Sequence, residues 1–178
     1  MTLKKKKTER RNFRQTEINK RGDRKMTTLT RSEKVMLDIK DIAKRSKTRL
    51  KEKFPQCVFS VRIKRYSGGQ SLDVSLMSAP FKVLEYPFDC NGNPIKQQYW
   101  QLNQYQFGRQ DGLSTAERIC NGAHLTQEAW DTMRGAWQIV EHFNFNESDI
   151  QKDYFCVNFY SHYEIGQWDK PFIQGGLK

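Results

Sequence analysis

Cysteine is scarce and scattered in this chain. Its four residues are Cys57, Cys90, Cys120 and Cys156, and no two are close enough to form a Cys-x-x-Cys pair. That excludes the short-spaced thiolate zinc sites and any compact disulfide framework. The expectation is reduced, mostly buried thiols in a cytoplasmic protein. Histidine is scarcer still, with only His124, His142 and His162. Cys120, His124 and His142 show no ligand spacing, and Gly122 interrupts the first two, so no metal is expected. Cys156 and His162 would share a strand face about 20 Å apart, at roughly 3.3 Å per residue, too far for a thiol–imidazole pair. No apolar run approaches the roughly 18 residues of a membrane span. The basic start lacks the apolar stretch of a secretory signal. Ser67-Gly68-Gly69 is not a phosphate loop, because no Gly-Lys-Ser/Thr and no helix follow it. Helix-turn-helix, zinc-finger and RNP signatures are also missing. With no catalytic motif, the chain reads as neither an enzyme nor a cofactor carrier.

Acid is missing from one region in particular. Residues 1–53 hold 20 of the 31 Lys+Arg but 7 of the 20 Asp+Glu, a balance of +13, whereas the remainder holds 11 basic and 13 acidic residues, a balance of −2. The net charge of +11 therefore belongs to the first third. Segregated charge of this kind points to a polyanionic partner.

Residues 1–26 carry almost nothing apolar beyond Leu3, Phe13 and Ile18. They are expected to form a disordered basic arm. Met26 is a second candidate start, because the body reads complete from there. Residues 27–178 are expected to form one α+β domain, with Phe 11, Tyr 7 and Trp 4 supplying the apolar area. Thr30-Arg31-Ser32-Glu33 has the spacing of a capping box. Val35, Ile39, Ile42, Ser46 and Leu50 follow at helical spacing, predicting one helix over about 31–53 that ends before Phe54-Pro55. Alternation over 57–65 and 72–76 around Gly68-Gly69 predicts a β-hairpin over 57–77, placed at or near the centre of the sheet. Phe81 to Phe88 is a possible strand broken by Pro87, and Tyr99 to Phe107 reads as a strand with one aromatic-polar face. Ser114-Thr115-Ala116-Glu117 is a second capping box, opening a short helix that Gly122 ends. Thr126 caps a third helix with Trp130, Met133, Trp137 and Val140 on its buried stripe. Tyr154 to Ile165 alternates as the last strand, and the segment from Gly166 to Phe172 folds back as a loop. The predicted architecture is an antiparallel sheet of four to five strands with two longer helices packed on one face.

Two surface features bear on chemistry. Glu147, Asp149 and Asp153 form an acidic patch; solvated surface is the ordinary reading, and a Mg²⁺ site would lack the second cluster of two-metal enzymes. Basic residues interleaved with aromatics can neutralise phosphates while rings stack on bases. The candidate contacts are Lys4, Lys5, Lys6, Lys7, Arg10, Arg11 and Arg14 on the arm. To these are added Lys44, Lys47 and Lys51 on the first helix and Arg62, Lys64, Arg65 and Tyr66 on the hairpin. Tyr99, Trp100, Tyr105 and Trp168 are further candidate platforms, with core or rim packing as the competing reading, preferred for Trp168.

Leu50-Lys51-Glu52-Lys53-Phe54-Pro55, Val58-Phe59-Ser60-Val61-Arg62, Tyr66-Ser67-Gly68-Gly69 and Leu72-Asp73-Val74-Ser75 occur in that order. Over about residues 35–80 the chain resembles one of the large polyvalent-protein-associated domain families, and the likeness extends less closely through the last strand. The long insertion over 81–125 and the basic arm depart from that pattern. The resemblance implies a small α+β module of phages, plasmids and other mobile elements, and no catalytic residues carry over. The expected function is a non-enzymatic nucleic-acid-binding accessory protein. The alternative is an anti-defence inhibitor, of anti-CRISPR or anti-restriction type, docked on a host protein complex.

Overall fold

The computed structural model describes residues 28–35, 37–86, 91–93, 99–107, 119–120, 123–153 and 156–175. The basic arm and the second capping box, Ser114 to Glu117, lie outside the described residues.

The chain begins with a short helix, α1 (Arg31–Val35), and a long one, α2 (Ile39–Lys53). The expected capping box is formed: the Thr30 N–H donates to Glu33 Oε2 at 2.8 Å, and the Glu33 N–H reaches Thr30 Oγ1 at 3.4 Å. The expected single helix is nevertheless broken. Asp38 starts a new helix, its side chain accepting from the Lys40 N–H. The reason lies in Leu37. On one continuous helix, at about 100° per residue, Leu37 would point about 175° away from the Ile39, Ile42, Ser46 and Leu50 stripe. The break lets Leu37, with Leu29, pack against the core, while Val35 is left 52% exposed. α2 ends at Lys53 as expected, and the Phe54 N–H closes its last turn on the Leu50 carbonyl.

The hairpin forms β1 (Val58–Tyr66) and β2 (Gly69–Ala79), joined by Ser67 and Gly68, the latter at φ 86°. Positive φ is open to glycine without steric cost, which explains its place in a two-residue turn. After it come β3 (Trp100–Leu102), a single 3-10 turn (Gln104–Gln106) and a two-stranded ladder of β4 (Ile119–Cys120) and β5 (Ala123–His124). The expected strand from Tyr99 to Phe107 is thus cut short, because Asn103 turns the chain by accepting from the Tyr105 N–H. The Phe81–Phe88 stretch supplies only a bridge between Leu84 and Leu125 among the described residues. α3 (Gln127–Glu141) starts on its Thr126 cap, and Trp130, Met133 and Val140 are buried as its spacing requires. β6 (Tyr160–Ile165) is the last long strand, and β7 (Ile173–Gln174) follows a loop whose Phe172 is buried.

Among the described residues, the main sheet has five strands in the order β1-β2-β6-β3, with β7 against the far end of β2. The α+β class and the strand number agree with the sequence. The purely antiparallel expectation is corrected: β2 pairs β6 in parallel, and β7 does likewise. A parallel partner needs a long crossover, and the segment from Pro80 to Phe159, with α3 inside it, provides one. Of the hairpin, β2 lies in the interior of the sheet beside β6, while β1 is an edge strand among the described residues.

One face of the sheet is apolar. It carries Phe59, Val61 and Ile63 of β1, Leu72, Val74 and Leu76 of β2, and Tyr163 and Ile165 of β6. Both long helices pack on this face, α2 over β1 and α3 over β6. Phe107 joins the layers, its ring 4.8 Å from that of Trp130 and 5.7 Å from that of Tyr163. Gly135 lets α2 and α3 close up, because a Cβ there would stand 2.7 Å from Phe54 Cζ. Among the described residues, no helix is long and apolar enough to cross a membrane.

Candidate nucleic-acid interface

Strand side chains alternate between faces, so the polar residues of β1, β2 and β6 collect on the side opposite the helices. Register sets them in rows. Lys64, Ser71 and Tyr160 form one; Arg62, Asp73 and His162 the next; Ser60, Ser75 and Glu164 a third, which Gln101 of β3 extends.

The middle row centres on Asp73, whose carboxylate is 8% exposed. Lys64 Nζ lies 2.5 Å from Asp73 Oδ2, and His162 Nδ1 lies 3.0 Å from Oδ1. The Ser71 hydroxyl donates to Asp73 Oδ1 at 3.4 Å. The hydrogen bond and charge of Asp73 hold the Lys64 ammonium above the usual lysine range. The third row is tied to Glu164, which accepts from the Ser75 hydroxyl at 3.2 Å and from the Tyr99 hydroxyl at 3.1 Å. Partial burial, reinforced by the Glu164 carboxylate, pushes the Tyr99 hydroxyl pKa upward. Gln101 donates to the Tyr99 oxygen at 2.9 Å, and the buried Gln167 donates to Ser75 Oγ at 3.0 Å. The carboxylates of this face are therefore already engaged. Among the described residues, no group of three His, Cys, Asp or Glu side chains is placed to hold a metal ion.

The basic residues divide by where the fold places them. Lys44, Lys47 and Lys51, with Lys40, recur at four-, three- and four-residue steps, which puts them on one stripe of α2. All four are exposed, and among the described residues none pairs with a carboxylate. Arg49 marks the opposite flank, its guanidinium 4.7 Å above the Phe143 ring. The lysine stripe lies about 170° around the helix from Arg49, on the flank that overhangs the β1 edge. Arg62 and Lys64 lie on the open face of the same strand, so the cations wrap the edge from both layers. Arg65 does not join them. Its odd position turns it toward the helix side, where it bonds Asp38 Oδ1 at 3.1 Å and ties the hairpin tip to the start of α2. Lys4, Lys5, Lys6, Lys7, Arg10, Arg11 and Arg14 lie outside the described residues. A shallow groove of about 430 Å³ runs along α2, but Asp41 and Glu52 line it beside Lys44, Arg45 and Arg49, so it is no uninterrupted cationic track.

The aromatic candidates sort differently from the sequence reading. Trp100 is buried at 3% exposure, because its register opposite Ile165 puts it on the covered face. Trp168, expected to pack, is 85% exposed. Tyr66 is 50% exposed with its ring against Gly69, and Tyr160, which the sequence reading missed, is 45% exposed. The signal for Tyr160, His162 and Glu164 was the alternation of β6, whose other half is the buried Ser161, Tyr163 and Ile165. Of the acidic patch, Glu147 pairs with Arg31, which lowers its pKa, and Asp149 pairs with Lys152 at 3.1 Å.

A family model described as large polyvalent protein associated domain 29 matches residues 37–142, more than half of the 178-residue chain. The matched stretch contains α2, the hairpin and α3, and it stops short of β6. No curated protein and no solved structure matches the chain.

Proposed function

The chain belongs to the large polyvalent protein associated domain 29 family, a module of mobile genetic elements, and from that premise we propose that it is a non-enzymatic nucleic-acid-binding accessory protein. The observation that carries this reading is the basic wrap around β1. Lys40, Lys44, Lys47 and Lys51 line one layer of that edge and Arg62 the other, and none of them is paired with a carboxylate among the described residues. Unpaired surface cations release condensed counterions when they meet phosphates, which gives affinity without sequence preference. The lysines and arginines of residues 1–26 add to the same field.

The test is a salt titration of binding to duplex DNA, single-stranded DNA and RNA. It compares the full chain, a chain beginning at Met26 and the Lys44→Gln/Lys47→Gln/Lys51→Gln variant. Each phosphate contact removed should flatten the log–log salt slope by about one unit on a duplex. Absence of binding at low salt, or slopes unchanged by both alterations, overturns the reading. In that event the anti-defence alternative takes its place. It is supported by the outer edge of β1, which no described strand pairs and whose flanking cations suit an acidic segment of a host protein added as a further strand.

A further inference from the structure

We infer that the open face of the sheet holds single-stranded nucleic acid, with bases stacked on Tyr66 and Tyr160 and the phosphate backbone running along the basic β1 edge. This rests on the nucleic-acid reading above and adds to it the strandedness and the seat of the bases. Three observations carry it.

The first is where the exposed rings lie. Tyr66 and Tyr160 are on the polar face, opposite the helices, and each is about half exposed. A half-exposed ring on a sheet face offers its π-surface to a partner, and base–aromatic stacking tolerates any sequence. Tyr66 is held in place: a Cβ at Gly69 would come within 3.0 Å of its ring, so the ring occupies the space a side chain there would need. The two tyrosines stand two strands and two residues apart, with Lys64 and Ser71 between them. That separation is about 12 Å at ordinary strand and residue spacings.

The second is the surface between and beside the rings. Between the outer strands, β2 presents the short side chains of Ser71, Asp73 and Ser75, so no bulky group of that strand stands between the two rings. Duplex bases are stacked on one another and cannot lie on such a face, whereas unpaired bases can.

The third is the separation of charge. Asp73 is paired with Lys64 and bonded to His162, and Glu164 accepts from Tyr99 and Ser75, which leaves the middle of the face without an unpaired cation among the described residues and rich in hydrogen-bonding groups. The cations unpaired among the described residues are at the rim, on α2 and at Arg62. Phosphates are drawn to the cationic rim and bases to the rings of the face, the division between positioning and stacking contacts that single-strand binding requires.

The test uses the full chain and fluorescence anisotropy at fixed salt. Its probes are a short single-stranded oligonucleotide, the matching duplex and an abasic sugar-phosphate strand of equal length. The base-bearing single strand should bind about tenfold or more tighter than the abasic strand. Tyr66→Ala and Tyr160→Ala should each lose about tenfold on the base-bearing strand alone, with the salt slope unchanged. Tyr66→Phe and Tyr160→Phe should restore affinity, which separates stacking from a folding defect. Equal binding of base-bearing and abasic strands, or parent-like affinity of the doubled Tyr→Ala variant, overturns this inference and leaves the basic-edge reading intact. Failure of every probe to bind overturns both.

Discussion

The two faces of the β6 strand differ sharply in burial and in chemistry. Ser161, Tyr163 and Ile165 point into the helix layer and are buried, while Tyr160, His162 and Glu164, interleaved with them, stand on the open side. A shift of one residue in register would exchange the two sets. The covered face is bound by packing, so its residues have little freedom to serve another purpose. The open face is held by hydrogen bonds, and its exposed residues on β1 and β6 can be exchanged at small cost to the fold. The same contrast separates Arg65, fixed on Asp38, from its neighbours Lys64 and Tyr66 on the other side of β1.

The largest test of this contrast is Phe107→Ala. Phe107 is fully buried against Trp130, Trp137 and Tyr163. Its truncation should cost about 3–5 kcal/mol in a urea melt, and a loss near zero would mean that the helix layer is not held there. Gly135→Ala comes next. The added methyl meets Phe54 at 2.7 Å and should cost about 1–3 kcal/mol by overpacking, read from the shift in denaturation midpoint.

Asp73→Ala probes the middle of the open face. It removes a nearly buried carboxylate from Lys64 and His162, which are themselves well exposed and regain water. The expected loss is about 1–2 kcal/mol, and the Lys64 pKa should fall back toward the ordinary lysine value, as NMR titration would show. Tyr160→Ala, on the open face, should change stability by no more than about 0.5 kcal/mol. A large loss there would erase the distinction between the faces.

The smallest effect at neutral pH belongs to Cys57, at the start of β1 on the covered side. Partial burial, with Glu128 nearby, pushes its thiol up to about 11. An unfolded thiol titrates near 8.5, roughly, so between those values the folded chain binds more protons than the unfolded one. Stability is then fully present below about 8.5 and falls as pH rises toward about 11. Denaturation across that window should show the decline in the parent chain and a shallower one in Cys57→Ala.

Much of the covered face was legible in advance, because helical and strand periodicity both mark apolar residues. Ile42, Leu50, Met133 and Val140 were found by spacing alone, as were the Thr126 cap and the Gly68 turn. The helix break at Asp38 was not, since the Val35-to-Leu50 spacing is continuous and only the pull of Leu37 and Leu29 toward the core interrupts it. The candidate interface was half legible. Lys44, Lys47, Lys51, Arg62, Lys64 and Tyr66 were identified by charge and alternation. Arg65, grouped with Lys64 by charge, turns instead to Asp38 on the helix side, and Tyr160, His162 and Glu164 of the open face were not among the candidates.

The sequence by itself determined the local elements, the segregation of positive charge and the family, because caps, turns and periodicities are properties of neighbouring residues. Only the tertiary structure decided that β1 is an edge, that β2 runs parallel to β6, and that Asp73 meets His162 across 89 positions of chain. Strand pairing of that range is chosen by which arrangement buries both helices on one continuous apolar face. That is a property of the whole chain, and no single segment encodes it.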